Sequence, residues 1–593
     1  MRKKHFLFAS VLALLCGSST LHAQDFKLTS SGYFKNQGVD VMAFDDIYPE
    51  GHQGGVCIIM NGHRVATNGD IRLEATPGQW QPVPKQLDRK LGDNSITATL
   101  CYPDSSRHLT GFNPMIYPDL HLIYTVNVES KGKNIEVTVD LDRPIPQEFI
   151  GKVGFNLEFF PGSLFGKPWI MDGQSGIFPQ QPNSPLMTTQ PNYLHTGNYH
   201  DGKKSLADMD KLIGKGYSPI VADDIISEPY AKGTKFTSRP DDPYNKVTIE
   251  SLSGDLQLFD GRMNHNNGWF VLRSNIKPGV TKGAVKWIIT PNVVADWMYQ
   301  PVIQTSQIGY HPTQDKEAVI EMDIRDNRKE TAQIIRIDAD GEKVVKNVTP
   351  ANWGKFLRYN YLKVNFTDVK EPGLYKIKYN TSVSPIFRID NDVYARGVWQ
   401  PVLEYFLPVQ MCHMRVNEKY RVWHDCCHMD DAQMAPAHNH IDGYDQKEGL
   451  SKFKPGEVVP GVNIGGWHDA GDFDLRIESQ AGESYILALA YEAFHPNLDV
   501  TSIDQINRVT EIHQPDGKND LLQQVENGAL TVVNGYLALG RLYRGIICND
   551  LRQYVLLGDA AAMTDGKIGN EDDRWIFTED NPGRELSTAA QLA

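Results

Sequence analysis

Gly465-Gly466-Trp467-His468-Asp469-Ala470-Gly471-Asp472-Phe473-Asp474 sets two carboxylates three residues apart, Asp469 and Asp472, with only Ala470 and Gly471 between them. Small residues there let the backbone turn tightly and keep both side chains open to one face. Trp467 stands just before and offers a flat apolar surface of the kind on which a sugar ring stacks. Paired acids beside an aromatic suit hydrolysis of a glycosidic bond, where one carboxylate must orient and deprotonate water. The segment from Asp469 to Asp472, taken alone, also fits a surface turn or a calcium-binding loop.

The flanks narrow the choice. Gly465 to Asp472 resembles the signature of glycoside hydrolase family 9, the cellulase-like inverting glycosidases. The resemblance implies that Asp472 is the general base and that Asp469 holds the attacking water. It places Trp467 and His468 along the cleft near the scissile bond, although Trp467 fits core packing beneath the loop equally well. Inversion also requires a protonated acid about 6.5–9.5 Å from the base. In the resembled family that acid is a Glu near the C-terminal end of the catalytic barrel. Glu478 and Glu483 read as structural or charge-pairing residues, and Glu571, Glu579 and Glu585 have no matching context, so no general acid is assigned. Asp474 reads as a salt-bridged surface acid paired with Arg476.

Downstream of the motif, Ile477 to Phe494 is a nearly all-apolar helical run, which predicts burial on more than one side. Asn519-Asp520 opens a further helix running to about Tyr543. Upstream, Val398, Trp399, Val402, Leu403, Phe406 and Leu407 recur at helical spacing from Val393 onward. Periodicity thus predicts a helical domain over 391–593, and the resemblance makes it the N-terminal part of an (α/α)6 barrel. Glu585 to Ala593 reads as a helix still under way, with no Gly, Asn or Pro to close it. These 203 residues fall short of a complete barrel of that family, so the chain is expected to be truncated at its C-terminus.

A second constellation precedes the motif: Cys412-His413-Met414, Trp423 to Asp431 with Cys426-Cys427-His428, and His438-Asn439-His440. Thiolate and imidazole donors at short spacings suit a structural tetrahedral zinc. Some family 9 enzymes carry zinc on a Cys, an adjacent Cys-His pair and another His, and Cys412, Cys427 and His428 resemble that set. His438, His440 and His468 stay open as the fourth ligand, and a Cys412–Cys426 disulfide is the competing reading. The family resemblance also allows calcium, but no loop of EF-hand type places it.

From Val302 to about Ile389 short strands alternate with turns, as at Asp338-Ala339-Asp340-Gly341 and Glu371-Pro372-Gly373. The opening Gln304 to Pro312 and the closing Gly373-Leu374-Tyr375 and Phe387-Arg388-Ile389 resemble the immunoglobulin-like module that precedes many family 9 catalytic domains. Before it, Ile135, Val137, Val139 and Leu141 alternate with polar residues at the period of a half-buried strand. Similar runs from Leu120 to Ile289, broken by Pro/Gly/Asn-rich connectors such as Phe178 to Asn192, predict one large β-sandwich or two packed together. Trp80, Trp169, Trp269 and Trp287 are expected in its core, with sugar stacking as the alternative.

The N-terminus has the form of a cleavable secretory signal: basic Arg2, Lys3 and Lys4, an apolar Phe6 to Leu15, and a cleavage site after Ala23. The division read from the chain is a signal at 1–23, a β-rich domain at 24–300, an immunoglobulin-like domain at 301–390 and a partial helical catalytic domain at 391–593. Net charge is −14, falling to −17 once the three basic residues of the signal leave. Such a balance disfavours nucleic acid and anionic membrane as partners. No later segment has the length and apolarity of a transmembrane span. In an oxidising compartment Cys57 and Cys101 are free to bridge. The expected protein is a secreted or periplasmic hydrolase of β-1,4-glucan, cellulose-like or xyloglucan-like. An exo-acting glucosaminidase on chito-oligosaccharides and a non-catalytic glycan-binding protein are the alternatives.

Overall fold

The computed structural model describes residues 25–45, 55–74, 76–77, 84–102, 120–183, 186–187, 226–263, 268–437, 446–469, 473–548, 566–568 and 573–593. The expected signal segment, Trp80, His438, His440 and Asp472 lie outside the described residues.

The alternating N-terminal runs form two nine-stranded antiparallel sheets packed face to face. Asn134–Leu141 buries every second side chain, and Ile135, Val137 and Val139 enter the shared core. The two sheets meet where Phe155 of Val153–Phe159 sets its ring edge-on to Trp287 of Val285–Pro291, centroids 5.0 Å apart. Trp169 and Trp287 are therefore core residues, and Trp269 leans on Phe160 at 4.6 Å. Cys57 and Cys101 are thiols on different sheets, with Cys57 Sγ 3.1 Å from Thr67 Oγ1 and Cys101 Sγ donating to the Lys85 carbonyl at 3.6 Å. The bridge between them is not formed.

The central strand Val153–Phe159 is buried along its whole length, and its polar residues join a buried charged row. Arg273 donates to Asn156 at 2.9 Å and pairs with Glu74 at 3.5 Å, while Asn156 donates to Glu74 at 2.7 Å. Arg72 lies 3.9 Å from Asp70, which also accepts from the Tyr124 hydroxyl at 3.0 Å. Burial pushes Glu74 up to about 7 and Asp70 up to about 6, against the pull of the two arginines. Because the folded state holds these protons more tightly than the unfolded chain, the stability they confer is complete below about pH 4 and is lost as pH rises toward 7. Between pH 4.5 and 7 the wild-type chain should lose about 1.4 kcal/mol per pH unit from Glu74 alone. Glu74→Gln should remove that component. Urea denaturation across the window checks this, and equal slopes for the two chains would refute it.

A second, smaller sandwich follows. One sheet joins Val302–Gln304, Glu317–Asp323, Tyr359–Asn365 and Ala351–Phe356; the other joins Gly341–Val348, Ala332–Asp338, Gly373–Tyr379, Ser382–Val383 and Phe387–Ile389. It has its own core, with Ile320, Ile334, Leu362 and Ile377 fully buried. The strands expected from alternation and turn chemistry are present here.

Residues after 390 depart from the all-helical expectation. Among the described residues, the helices Ile477–Phe494, Asp520–Leu539 and Pro582–Leu592 and a short helical stretch, Val402–Gln410, are accompanied by two four-stranded sheets. One sheet is built from Arg415–Glu418, Arg421–His424, Thr501–Asp504 and Val509–Ile512, the other from Gln433–Met434, Leu475–Arg476, Gly545–Ile547 and Trp575–Phe577. Residues 391–399 are turns, because Gly397 takes a positive φ of 73° and the helical stretch starts only around Pro401. Helical spacing at Val398 and Trp399 was therefore misleading. Ile477–Phe494 has the predicted bounds, but it buries one side only: Ile477, Gln480, Ala481 and Ser484 are covered, while Ile486, Leu489 and Phe494 are exposed. Among the described residues no helix is long and apolar enough to cross a membrane.

Candidate functional site

Two backbone segments are zipped together at the motif. The Cys412 N–H donates to the Gly466 carbonyl at 2.9 Å, the His468 N–H donates to the Gln410 carbonyl at 2.8 Å, and Met411 bridges Trp467. The paired glycines have a steric cause. Gly465 sits at φ +69° with the site of a Cβ only 2.4 Å from the Asn527 carbonyl oxygen, so a side chain would collide with the helix Asp520–Leu539.

Trp467 is only 2% exposed. Its indole N–H donates to Gln524 at 2.8 Å, its backbone N–H donates to Gln480 at 2.8 Å, and its ring fills the space left by Gly528. Of the two placements read from the sequence, the structure has the core one, with no ring face open to a sugar. His468 likewise turns inward, its Nε2 3.5 Å from Cys427 Sγ.

That contact closes a four-residue cluster. The donor atoms of Cys412, Cys427, His428 and His468 all lie within 4.8 Å of one another. Cys412 Sγ is 3.7 Å from Cys427 Sγ and 3.6 Å from His428 Nδ1. Tetrahedral zinc with ordinary Zn–S and Zn–N bonds requires separations of about 3.8 Å between sulfurs and about 3.6 Å between sulfur and nitrogen. The Cys412–Cys427, Cys412–His428 and Cys427–His468 separations meet that requirement. Of the three histidines left open as the fourth member, His468, also read as a cleft residue, is the one that joins the cluster. Cys426 stands apart, its Sγ donating to the Arg508 carbonyl at 3.7 Å, so the Cys412–Cys426 disulfide is absent.

Arg574 underlies the cluster and was not singled out from the sequence. It is fully buried and pairs with Asp431. It also donates to the Phe473 carbonyl at 2.5 Å and approaches Cys412 Sγ at 3.4 Å and His413 Nε2 at 3.3 Å. Burial opposes ionisation of Cys412, but the hydrogen bond with Cys427 and the Arg574 guanidinium together hold its thiol well below the usual range. One thiolate is thus favoured in advance.

Asp469 follows His468 directly. Its carboxylate lies 3.3 Å from Arg476 Nη1, and its N–H donates to the Asp474 carbonyl at 3.1 Å. Asp474 is fully buried, not a surface acid: it accepts the Cys548 N–H at 2.7 Å and lies 3.5 Å from Arg476. Desolvation, and then the Asp469 carboxylate, hold Glu483 above the ordinary carboxyl range. Glu478 pairs with Arg544 and lies 3.5 Å from Arg584, the charge-pairing role expected of it.

Residues 298–384 match the model of the cellulase N-terminal immunoglobulin-like domain. No curated protein matches the chain. Among solved structures, a zinc-binding triple mutant of GH family 9 endoglucanase J30 is similar at 21% identity and a TM-score of 0.34, over 45% of this chain and 44% of that one. Bacteroides ovatus GH9 is similar at 19% identity and a TM-score of 0.34, over 49% and 46%. The endoglucanase J30 without those mutations gives 20% and 0.33, over 45% and 44%. The chain spans less than half the length of each of these structures. What the chain carries for certain at its middle is a cellulase-type N-terminal immunoglobulin-like module.

Proposed function

We propose that the chain belongs to an exported glycoside hydrolase of the family 9 type that cuts β-1,4-glucosidic bonds in a cellulose-like or xyloglucan-like polysaccharide with inversion. One observation carries this reading: a cellulase-type immunoglobulin-like module at 298–384 is followed, in the order such enzymes have, by Gly-Gly-Trp-His-Asp-Ala-Gly-Asp at 465–472. In this reading 24–300 is an accessory sandwich and 391–593 is the N-terminal part of an (α/α)6 catalytic barrel. Asp472 takes the proton from water as it attacks the anomeric carbon on the face opposite the leaving oxygen. Asp469, held by Arg476 at 3.3 Å, fixes that water.

Cys412, Cys427, His428 and His468 would hold zinc in a closed four-ligand site, which supplies bracing and leaves no open position for substrate. Since His468 precedes Asp469 and His428 follows Cys427, the brace would lock the loop that presents the acids.

In the protein carrying the complete catalytic barrel with its general acid, Asp472→Ala is expected to lower hydrolysis by about 10²–10⁴-fold. The check is reducing-sugar release from barley β-glucan, xyloglucan and chito-oligosaccharides. Glycan binding without turnover, unaltered by the substitution, would favour a non-catalytic glycan-binding protein. The sealing of Trp467 in the core is the observation on that side.

A further inference from the structure

We propose that the seam between the large sandwich and the immunoglobulin-like unit, together with the adjoining face of Tyr359–Asn365, is a binding site for a neutral glycan chain. A cavity of about 440 Å³ opens at the seam, with Asn36, Asp40, Trp297, Tyr299, Arg358 and Tyr359 among its walls. Clefts that hold small ligands have this size.

An unbroken row of aromatic rings leads out of it. Trp297 and Tyr299 have centroids 6.3 Å apart, Tyr299 and Tyr359 5.0 Å, Tyr359 and Tyr361 6.1 Å, and Tyr361 and Trp353 5.6 Å. Tyr359 and Tyr361 are two apart on one strand, so they share a face. The row ends in a second hollow of about 240 Å³ between Trp353, Phe356, Tyr361 and Lys363. There Trp353 and Phe356 are each 57% exposed.

The rings are fixed before any ligand arrives. The hydroxyls of Tyr299 and Tyr361 both donate to the Glu321 carboxylate, at 2.8 and 3.1 Å. Pre-ordered side chains lower the entropic cost of binding. The charges around the seam are largely offset: Arg325 pairs with Asp323 at 2.7 Å and Arg358 with Asp40 at 3.4 Å, while Lys27 and Lys35 line the same cavity as Asp25. An excess of a single positive charge gives an anion little net attraction, and the paired groups still offer hydrogen-bond donors and acceptors. Aromatic faces flanked by such groups suit an uncharged polyhydroxylated ring, its C–H face on the aromatic and its hydroxyls on the rim.

This site is independent of cutting at Asp472. The test is calorimetric titration of the full chain with cellohexaose and soluble barley β-glucan as neutral probes and polygalacturonate as an anionic one, repeated in Asp472→Ala, Trp353→Ala and Tyr359→Ala. The neutral probes should bind the wild-type and Asp472→Ala chains alike and lose about tenfold in affinity in each aromatic variant. Trp353 is exposed enough that its replacement should leave the melting temperature unchanged, which keeps the comparison valid if Tyr359→Ala unfolds. Absence of neutral-glycan binding, affinity unchanged in Trp353→Ala, or a preference for polygalacturonate would each overturn the assignment. Absence of reducing-sugar release by the wild-type protein, with the aromatic dependence intact, would count against the hydrolase reading alone.

Discussion

Arg574→Met should cost about 3–5 kcal/mol of stability in the region after residue 390, because it breaks a buried ion pair from one side. Asp431 would keep its carboxylate in a fully buried position, where burial already pushes its pKa up against the pull of Arg574. The Phe473 carbonyl would lose the donor now 2.5 Å away, and Cys412 would lose the cation 3.4 Å from its sulfur. Unlike an exposed surface pair, none of these groups can turn to water for compensation. Hydrogen exchange of the backbone around Phe473 and of the strand Trp575–Phe577 reports the loss locally, which suits a chain of several units better than one global midpoint. The double variant Arg574→Met/Asp431→Leu should recover a substantial part, since removing both charges also removes the unpaired one. Equal destabilisation in the single and double variants would mean that Arg574 acts through packing alone.

How much of this was legible in sequence follows the range of the interactions. Alternation at Ile135 to Leu141 is a local consequence of one buried face, so strands such as Asn134–Leu141, Val247–Ser251 and Val285–Pro291 could be read from the sequence. The helix Asp520–Leu539 was legible for the same reason, and the bounds of Ile477–Phe494 were too, but not that it buries one side only. What failed depends on partners far away in the chain. Trp467 could be a cleft wall or a core residue until Gln480, Gln524 and Gly528 were seen around it. His468 could not be singled out from His438 and His440 as the fourth member until the Met411–Trp467 bridge was seen to bring the Cys412 and His468 segments side by side. Arg574 carries no spacing signal at all, being joined to Asp431 across 143 positions. Asp474 was misread because alternation around it is too short to tell a surface acid from one that accepts the Cys548 amide. The sheets inserted after residue 390 are two to four residues per strand, shorter than any periodicity can detect.

Zinc added to chelator-stripped chain is expected to raise the stability of the same region by about 4 kcal/mol when the free metal stands a thousandfold above its dissociation constant. Three donor pairs, at 3.7, 3.6 and 3.5 Å, already have the spacing of a tetrahedral site, and all four donors lie within 4.8 Å of one another, so the rearrangement on binding is limited. Cobalt substituted for zinc should give the thiolate-to-metal absorption of a tetrahedral site, which reports the donor set without reference to any activity. Cys412→Ser and His468→Ala should each abolish that absorption and most of the stabilisation. His438→Ala and His440→Ala should leave both intact, which separates the three histidines that sequence left open. Affinity should fall as pH drops, because the metal competes with protons for two thiols and two imidazoles. Absorption that survives His468→Ala but disappears in His440→Ala would move the fourth ligand away from the motif. The metal would then no longer brace the segment that presents Asp469, and the link argued here between the cluster and the acid pair would be lost.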